Sequence, residues 1–265
     1  MTIVDAVLLG LIEGLTELLP VSSTGHLILL SQLLGHEGEA ADTLDVVIQL
    51  GAVVAVAVYF RAKLRETFAG LLTKESDALR LVGALMAAFV PTAVVGLLLH
   101  EWVKKLLFGP VPVAGALIVG GVVMIGIERW RKPSEGKEGL AEVTIVNGFV
   151  IGLFQCLSLW PGSSRSMTTI VGGKILGLNT KTAAEFSFLL ALPTLGAATL
   201  YDFAKNGHLI LAMPNGPAVL TTGLLVSFIV TWLVIAVFLR YVGRVGLSPF
   251  GVYRVALGAL VLMFL

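Results

Sequence analysis

Charge is what this sequence has least of. Only 13% of its 265 residues are Asp, Glu, Lys or Arg, against roughly 25% in a soluble domain, which excludes an ordinary water-facing surface. The 18 basic and 17 acidic residues leave a net charge of +1, so no basic excess points to nucleic acid. A single cysteine, Cys156, excludes an intrachain disulfide. The amino terminus lacks a basic n-region and carries Asp5, Glu13 and Glu17 instead, so no cleavable signal peptide is expected. Alternating segments of roughly ten residues, the mark of a transmembrane β-barrel, are absent too.

What is abundant is apolar sequence, at 57% of residues. The pattern predicts one all-α polytopic membrane domain over 1–265, with ten helical segments near 2–18, 22–35, 41–60, 79–99, 112–130, 142–158, 164–177, 181–203, 217–240 and 248–265. Pro20 and Pro161 each break an apolar run, and about 14 residues follow each before Gly35 or Gly177. Fourteen helical residues rise about 21 Å, short of the roughly 30 Å hydrocarbon core. Each pair therefore reads as a re-entrant hairpin, which leaves six transmembrane helices. Non-helical backbone at such a tip needs protein or a wet cavity around it.

The hairpins look alike. "DAVLLGLIEGLTELLPVSSTG" (Asp5–Gly25) aligns with "NGFVIGLFQCLSLWPGSSRS" (Asn147–Ser166) with one residue deleted. Gly10 then faces Gly152, Glu13 faces Gln155, Pro20 faces Pro161, Ser22 and Ser23 face Ser163 and Ser164, and Thr24 faces Arg165. Further on, Asp45 meets Glu185. The chain reads as two five-segment repeats, 1–130 and 142–265. An odd number of crossings in each makes them inverted, with a polar site expected where they meet. On this topology one side collects Arg61, Lys63, Arg65, Lys74, Arg80, Arg129, Arg131, Lys132, Lys137, Lys174, Lys181, Arg240 and Arg244, and the other only Lys104, Lys105 and Lys205. The positive-inside rule puts the basic side in the cytoplasm.

Ionisable groups at membrane depth are functional candidates by default. Here they are Glu13, Glu17, His26, Asp45, Arg165, Glu185 and Arg254. Glu13 and Glu17 share a helix face. In low dielectric the pair needs a divalent cation, a shared proton, or solvation at a helix end. Ser22, Ser23 or Thr24 can cap the next helix, and His26 shares a face with Ser22 and Ser23, as an activating base or as a structural group. "PGSSRSMTT" (Pro161–Thr169) offers a helix N-terminus, the hydroxyls of Ser163, Ser164, Ser166 and Thr169, and Arg165, a set suited to phosphate. The anion for Arg165 is a phosphate or one of Glu13, Glu17 and Glu185. Asp45 reads as a structural brace. Arg254 either pairs with Glu185 or makes a second phosphate contact. Together these groups fit a metal-assisted phosphate ester or anhydride site reached laterally by a lipid.

"EGLTELLPVSSTGH" (Glu13–His26) and "PGSSRSMTT" together resemble the undecaprenyl-diphosphate phosphatase family, the group linked to bacitracin resistance. "IQLGA" (Ile48–Ala52), "EFSFLLALPT" (Glu185–Thr194) and "YRVALG" (Tyr253–Gly258) extend the resemblance along the chain. It implies hydrolysis of undecaprenyl diphosphate to undecaprenyl phosphate and inorganic phosphate, which recycles the carrier for cell-wall synthesis. It also implies a divalent cation, Mg²⁺ or Ca²⁺, on Glu13 and Glu17, and a multi-pass protein of the bacterial inner membrane with its site opening to the periplasmic face. The family's acidic motif falls on Glu13 and Glu17, its serine–histidine motif on Ser23 and His26, and its arginine motif on Arg165 with Ser164 and Ser166. Expected partners are the polyprenyl diphosphate, membrane lipids and, left open by the sequence, a second copy in a homodimer. Two other readings stand beside this one. One is a transporter or flippase of a lipid phosphate, which needs the anion nest but no nucleophile. The other is the unrelated acid-phosphatase superfamily, disfavoured because His36, His100 and His208 fall in loops or at segment ends.

Overall fold

The computed structural model describes residues 1–36, 38–107 and 109–263, with 100–107 described by their backbone alone. The expectations on His100, Lys104 and Lys105 therefore concern side chains outside the described residues, as do the last two residues of the segment expected at 248–265. Among the described residues there are twelve α-helices and no strand beyond one isolated bridge, Lys137 to Leu178. In order they are α1 (Ile3–Thr16), α2 (Ser23–Leu33), α3 (Glu39–Val47), α4 (Gln49–Tyr59), α5 (Arg61–Leu72), α6 (Ser76–Leu107), α7 (Pro110–Trp130), α8 (Ile145–Cys156), α9 (Arg165–Ile175), α10 (Thr180–Leu211), α11 (Gly216–Val245) and α12 (Ser248–Met263).

Five stretches are long and apolar enough to cross a membrane: α3 with α4, then α6, α7, α10 and α11. The chain is thus a multi-pass helical membrane protein. The sixth expected span, α12, has 16 residues here, short of that length. Its outer face is nonetheless apolar, as are those of α6 and α7, with Leu97, Val119 and Met263 largely exposed. On a membrane protein such residues meet lipid. Two local features depart from the sequence reading. The segment expected at 41–60 breaks at Ile48 into α3 and α4. The basic stretch after it, expected as a loop, forms α5. Its charges hid an amphipathic helix whose Thr67 and Gly70 are buried.

The two hairpins share more than their sequences suggested. α1 and α8 each begin with a capping box, Thr2 with Asp5 and Thr144 with Asn147. Such reciprocal bonds satisfy two of the free N–H groups of a first turn. Ser22 and Ser164 then precede α2 and α9 with positive φ, 73° and 71°. Gly35 and Gly177 end those helices, again with positive φ. The three pairs Thr2–Thr144, Ser22–Ser164 and Gly35–Gly177 have one constant spacing, so the backbones stay in step with no deletion. This corrects the alignment above. Ser22 matches Ser164 and Ser23 matches Arg165. Matching the prolines forced the false gap, because the second tip carries its proline one place further from its serine.

Helix pairing is reciprocal as well. α1 packs on α11 and α8 packs on α6, while α7 packs on α12. Close approach depends on glycine. A Cβ at Gly14 would lie 2.9 Å from the Ser227 carbonyl, and one at Gly152 would lie 2.5 Å from the Ala88 carbonyl. Small residues one turn apart, Gly10 with Gly14 and Gly148 with Gly152, are how membrane helices reach backbone contact.

Candidate active site

The site lies where the two hairpin tips meet. Glu17, at the end of α1, is 7% exposed and joins both hairpins. Its Oε2 accepts from the Ser23 hydroxyl at 2.5 Å, and its Oε1 accepts from Arg165 Nη2 at 3.1 Å. Of the three acids proposed for Arg165, the structure uses Glu17. The other arm of the guanidinium donates from Nη1 to the Ser187 carbonyl at 2.9 Å, while its Nε has no partner among the described residues. Ser187, not singled out from sequence, also lies 2.7 Å from Thr169 Oγ1. Nothing in the sequence marks it, because its partners come from another helix.

Glu13, one turn earlier on α1, is fully buried and neither carboxylate oxygen has a hydrogen-bond partner among the described residues. Its counterpart Gln155 donates from Nε2 to Thr92 Oγ1 at 2.8 Å. The same position is thus partnered in one hairpin and orphaned in the other. An ionised carboxylate buried without a donor costs several kcal/mol, so Glu13 requires a proton or a cation. Either a shared proton or a hard divalent ion, which takes carboxylate oxygens and keeps water or phosphate as its remaining ligands, satisfies Glu13; a cation there would have to share Glu17 with Ser23 and Arg165. Among the described residues no cluster of three or more His, Cys, Asp or Glu is present.

His26 is not beside the serine hydroxyl. Its Nδ1 lies 2.7 Å from the Ser22 carbonyl and its Nε2 lies 2.6 Å from the Tyr253 hydroxyl. The hydrogen-bond partner of the Ser23 hydroxyl is Glu17, so the i,i+3 spacing of Ser23 and His26 did not become a hydrogen bond. Tyr253 was missed from sequence because nothing local links α12 to α2.

The hydroxyls divide into two sets. Ser164 caps α9, accepting from the Met167 amide at 3.3 Å, and lies 3.1 Å from Ser166 Oγ. Ser166 donates to the Leu19 carbonyl at 2.9 Å and so ties tip to tip. Thr169 is buried against Ser187. The amide of Ser163 is spent on the Trp160 carbonyl. These groups brace the site rather than face a ligand. The side chains of Ser22, Thr24 and Ser163 make no hydrogen bond among the described residues. No side chain caps α2 either, so the free N–H groups and positive dipole end that attract an anion belong to α2 more than to α9.

Arg254 is a clear departure from expectation. It is fully buried, and neither Glu185 nor a free face is among its contacts. Nε donates to Leu117 O, Nη1 to Pro20 O and Ser163 O, and Nη2 to Ala116 O and Gly162 O, all between 2.8 and 3.3 Å. A guanidinium has five N–H groups, and all five go to backbone carbonyls. None is left for phosphate. The residue clamps both tips to α7. Asp45 behaves as a brace, accepting from Ser31 at 3.0 Å.

These features define a polytopic helical membrane protein with a buried, tip-to-tip cluster of a serine hydroxyl, a carboxylate and a guanidinium. The family described as bacitracin resistance protein BacA matches residues 6–260. The chain belongs to that family. A Sorangium cellulosum protein named undecaprenyl-diphosphatase is 63% identical over 260 residues, covering 97% of this chain and 85% of the relative. Proteins of the same name from Persephonella marina and Novosphingobium aromaticivorans are 45% and 44% identical, over 100% of this chain and 99% and 98% of the relatives.

Proposed function

We infer that this chain hydrolyses undecaprenyl diphosphate to undecaprenyl phosphate and inorganic phosphate. Family membership and the named relatives support the activity. The observation that carries the chemistry is the Ser23–Glu17–Arg165 chain. In our scheme Ser23 Oγ attacks the terminal phosphorus and passes its proton to Glu17 Oε2, 2.5 Å away. The bond from that phosphorus to the bridging oxygen breaks, and undecaprenyl phosphate leaves with the electron pair. Water then cleaves the phosphoserine. Arg165 and the amides at the start of α2 hold phosphate oxygens as charge shifts toward the leaving group. A Mg²⁺ or Ca²⁺ ion on Glu13 and Glu17 would add electrostatic stabilisation of that charge. His26 serves the proton transfers that follow attack. A carrier alone has no use for a serine hydroxyl on a buried carboxylate, so the flippase reading is the weaker one.

The wider topology belongs to the same proposal. The constant hairpin spacing and the reciprocal pairing of α1 with α11 and α8 with α6 support two inverted repeats with re-entrant hairpins. α12 counts as the sixth span. The charge bias of the loops supports an inner-membrane orientation with the first hairpin entered from the periplasmic side.

The test is release of phosphate from a polyprenyl diphosphate by purified protein in detergent. Ser23→Ala abolishes it if the serine attacks, and near-normal turnover in that variant refutes covalent catalysis. Arg165→Lys keeps the charge but loses the planar fork. Full activity in that variant removes the role given to Arg165.

A further inference from the structure

His26 is held at both ring nitrogens. A carbonyl oxygen only accepts, so the 2.7 Å contact with Ser22 O places the proton on Nδ1. Nε2 is then the acceptor, and the Tyr253 hydroxyl donates to it across 2.6 Å. The two rings are also stacked, with an interplanar angle of 4° and centroids 5.7 Å apart. Ser22 alone holds one edge of the imidazole. The second bond, at Nε2, opposes the ring flip that would put carbon where each nitrogen now sits.

Packing alone does not call for this phenol. Tyr253 is 46% exposed, and it belongs to α12, far along the chain from His26. Its position follows from its neighbour. Arg254 is locked to five carbonyls, three of them on the hairpin tips. α12 is seated on α7 where Gly121 and Gly251 allow backbone approach. The register of α12 against the first tip is therefore fixed, and the phenol at the adjacent position is delivered to Nε2. Since Ser23 is already engaged by Glu17, the Nε2 lone pair is free of the serine and is defined by Tyr253.

We propose that Tyr253 is a positioning residue for His26. With the Nδ1–H tautomer set by the Ser22 carbonyl, its hydroxyl donates to Nε2 and holds the imidazole in one orientation, and its ring lies parallel to the imidazole plane. The inference rests on His26 acting in proton transfer during diphosphate hydrolysis. Nε2 is the one basic nitrogen of this tautomer, so Tyr253 acts on the reaction through His26 and contacts no substrate atom in this scheme.

The experiment is nitrogen-15 NMR of the purified full-length protein labelled at its four histidines, with the His26 signals assigned from His26→Asn. The wild type should show a protonated Nδ1 and an unprotonated, hydrogen-bonded Nε2; an Nε2–H tautomer at His26 overturns the proposal. Tyr253→Phe keeps the ring and removes the hydroxyl. Its Nε2 signal should move toward that of a free acceptor, and kcat should fall about tenfold with KM within about twofold, a fraction of what general acid–base catalysis supplies. Tyr253→Leu, which loses the ring as well, should fall further. Unchanged His26 signals in Tyr253→Phe overturn the proposal whether or not activity falls. Full turnover in His26→Asn would instead refute the catalytic reading of His26, while the NMR comparison still decides whether Tyr253 holds Nε2.

Discussion

Arg254→Lys separates a clamp from a phosphate ligand. Ala116 and Leu117 lie inside α7, where the helical ladder already supplies one donor to each carbonyl. Pro20, Gly162 and Ser163 lie at the tips, and among the described residues Arg254 is the donor to all three. A lysine ammonium is a single point on a flexible stem. It cannot span carbonyls on two hairpins and a helix, so about two of the three tip carbonyls lose their donor. At about 1–3 kcal/mol for each buried acceptor left unpaired, the loss is about 2–6 kcal/mol. For a chain of this size each kcal/mol moves the melting temperature by about 2–4 °C, so the midpoint should fall by roughly 5–20 °C. The assay is thermal unfolding in detergent, with steady-state kinetics at a temperature where the variant stays folded. A kcat loss with little change in KM is expected, because the tips shift while the phosphate ligands remain. A variant that melts within about 2 °C of wild type and shows KM raised tenfold would refute the clamp and restore the phosphate role.

Four further outcomes follow from the geometry. Glu13→Gln is isosteric and removes the buried charge, so its melting temperature should stay within a few degrees of wild type; phosphate release should fall at least ~100-fold and stay low across a Mg²⁺ titration. Ser166→Ala leaves the Leu19 carbonyl without its donor and should cost about 1–2 kcal/mol in stability with KM unchanged. Gly148→Ala drives a Cβ into the Ala84 backbone on α6, so unfolding should come about 1–3 kcal/mol earlier. The Asp5 carboxyl, at the outer end of α1, is held below its ordinary value of 3.8 by the Thr2 amide and, less strongly, by His36. A depressed carboxyl stabilises the fold above its unfolded value and loses that contribution as pH falls through the folded one. The stability gap between wild type and Asp5→Asn should therefore persist at neutral pH and close only below pH 3.8.

Much of the fold was legible because membrane burial writes itself into composition. Long apolar runs fixed the spans, and the two prolines with their following glycines fixed the hairpins. Glu17 and Arg165 were legible for the same reason, as charges without an obvious solvent. What could not be read is long-range pairing. Arg254 looks alike in sequence whether it meets a phosphate or five carbonyls. His26 is near Ser23 in sequence, yet a tyrosine 227 residues away takes its ring nitrogen. α5 was hidden because its charges resemble a loop when only hydropathy is read. Side-chain identity misled at the tips, where the prolines are out of step but the backbone is not.

The exchange of partners between the halves governs how this protein is made. α1 is finished by residue 16, but the surface it packs on, α11, ends at residue 245. At a synthesis rate of roughly 5–20 residues per second, the wait is roughly 10 to 45 s. Through that interval α1 carries an unpartnered Glu13 and a bare glycine stripe in a nascent chain. The first helix made is among the last to gain its largest packing partner.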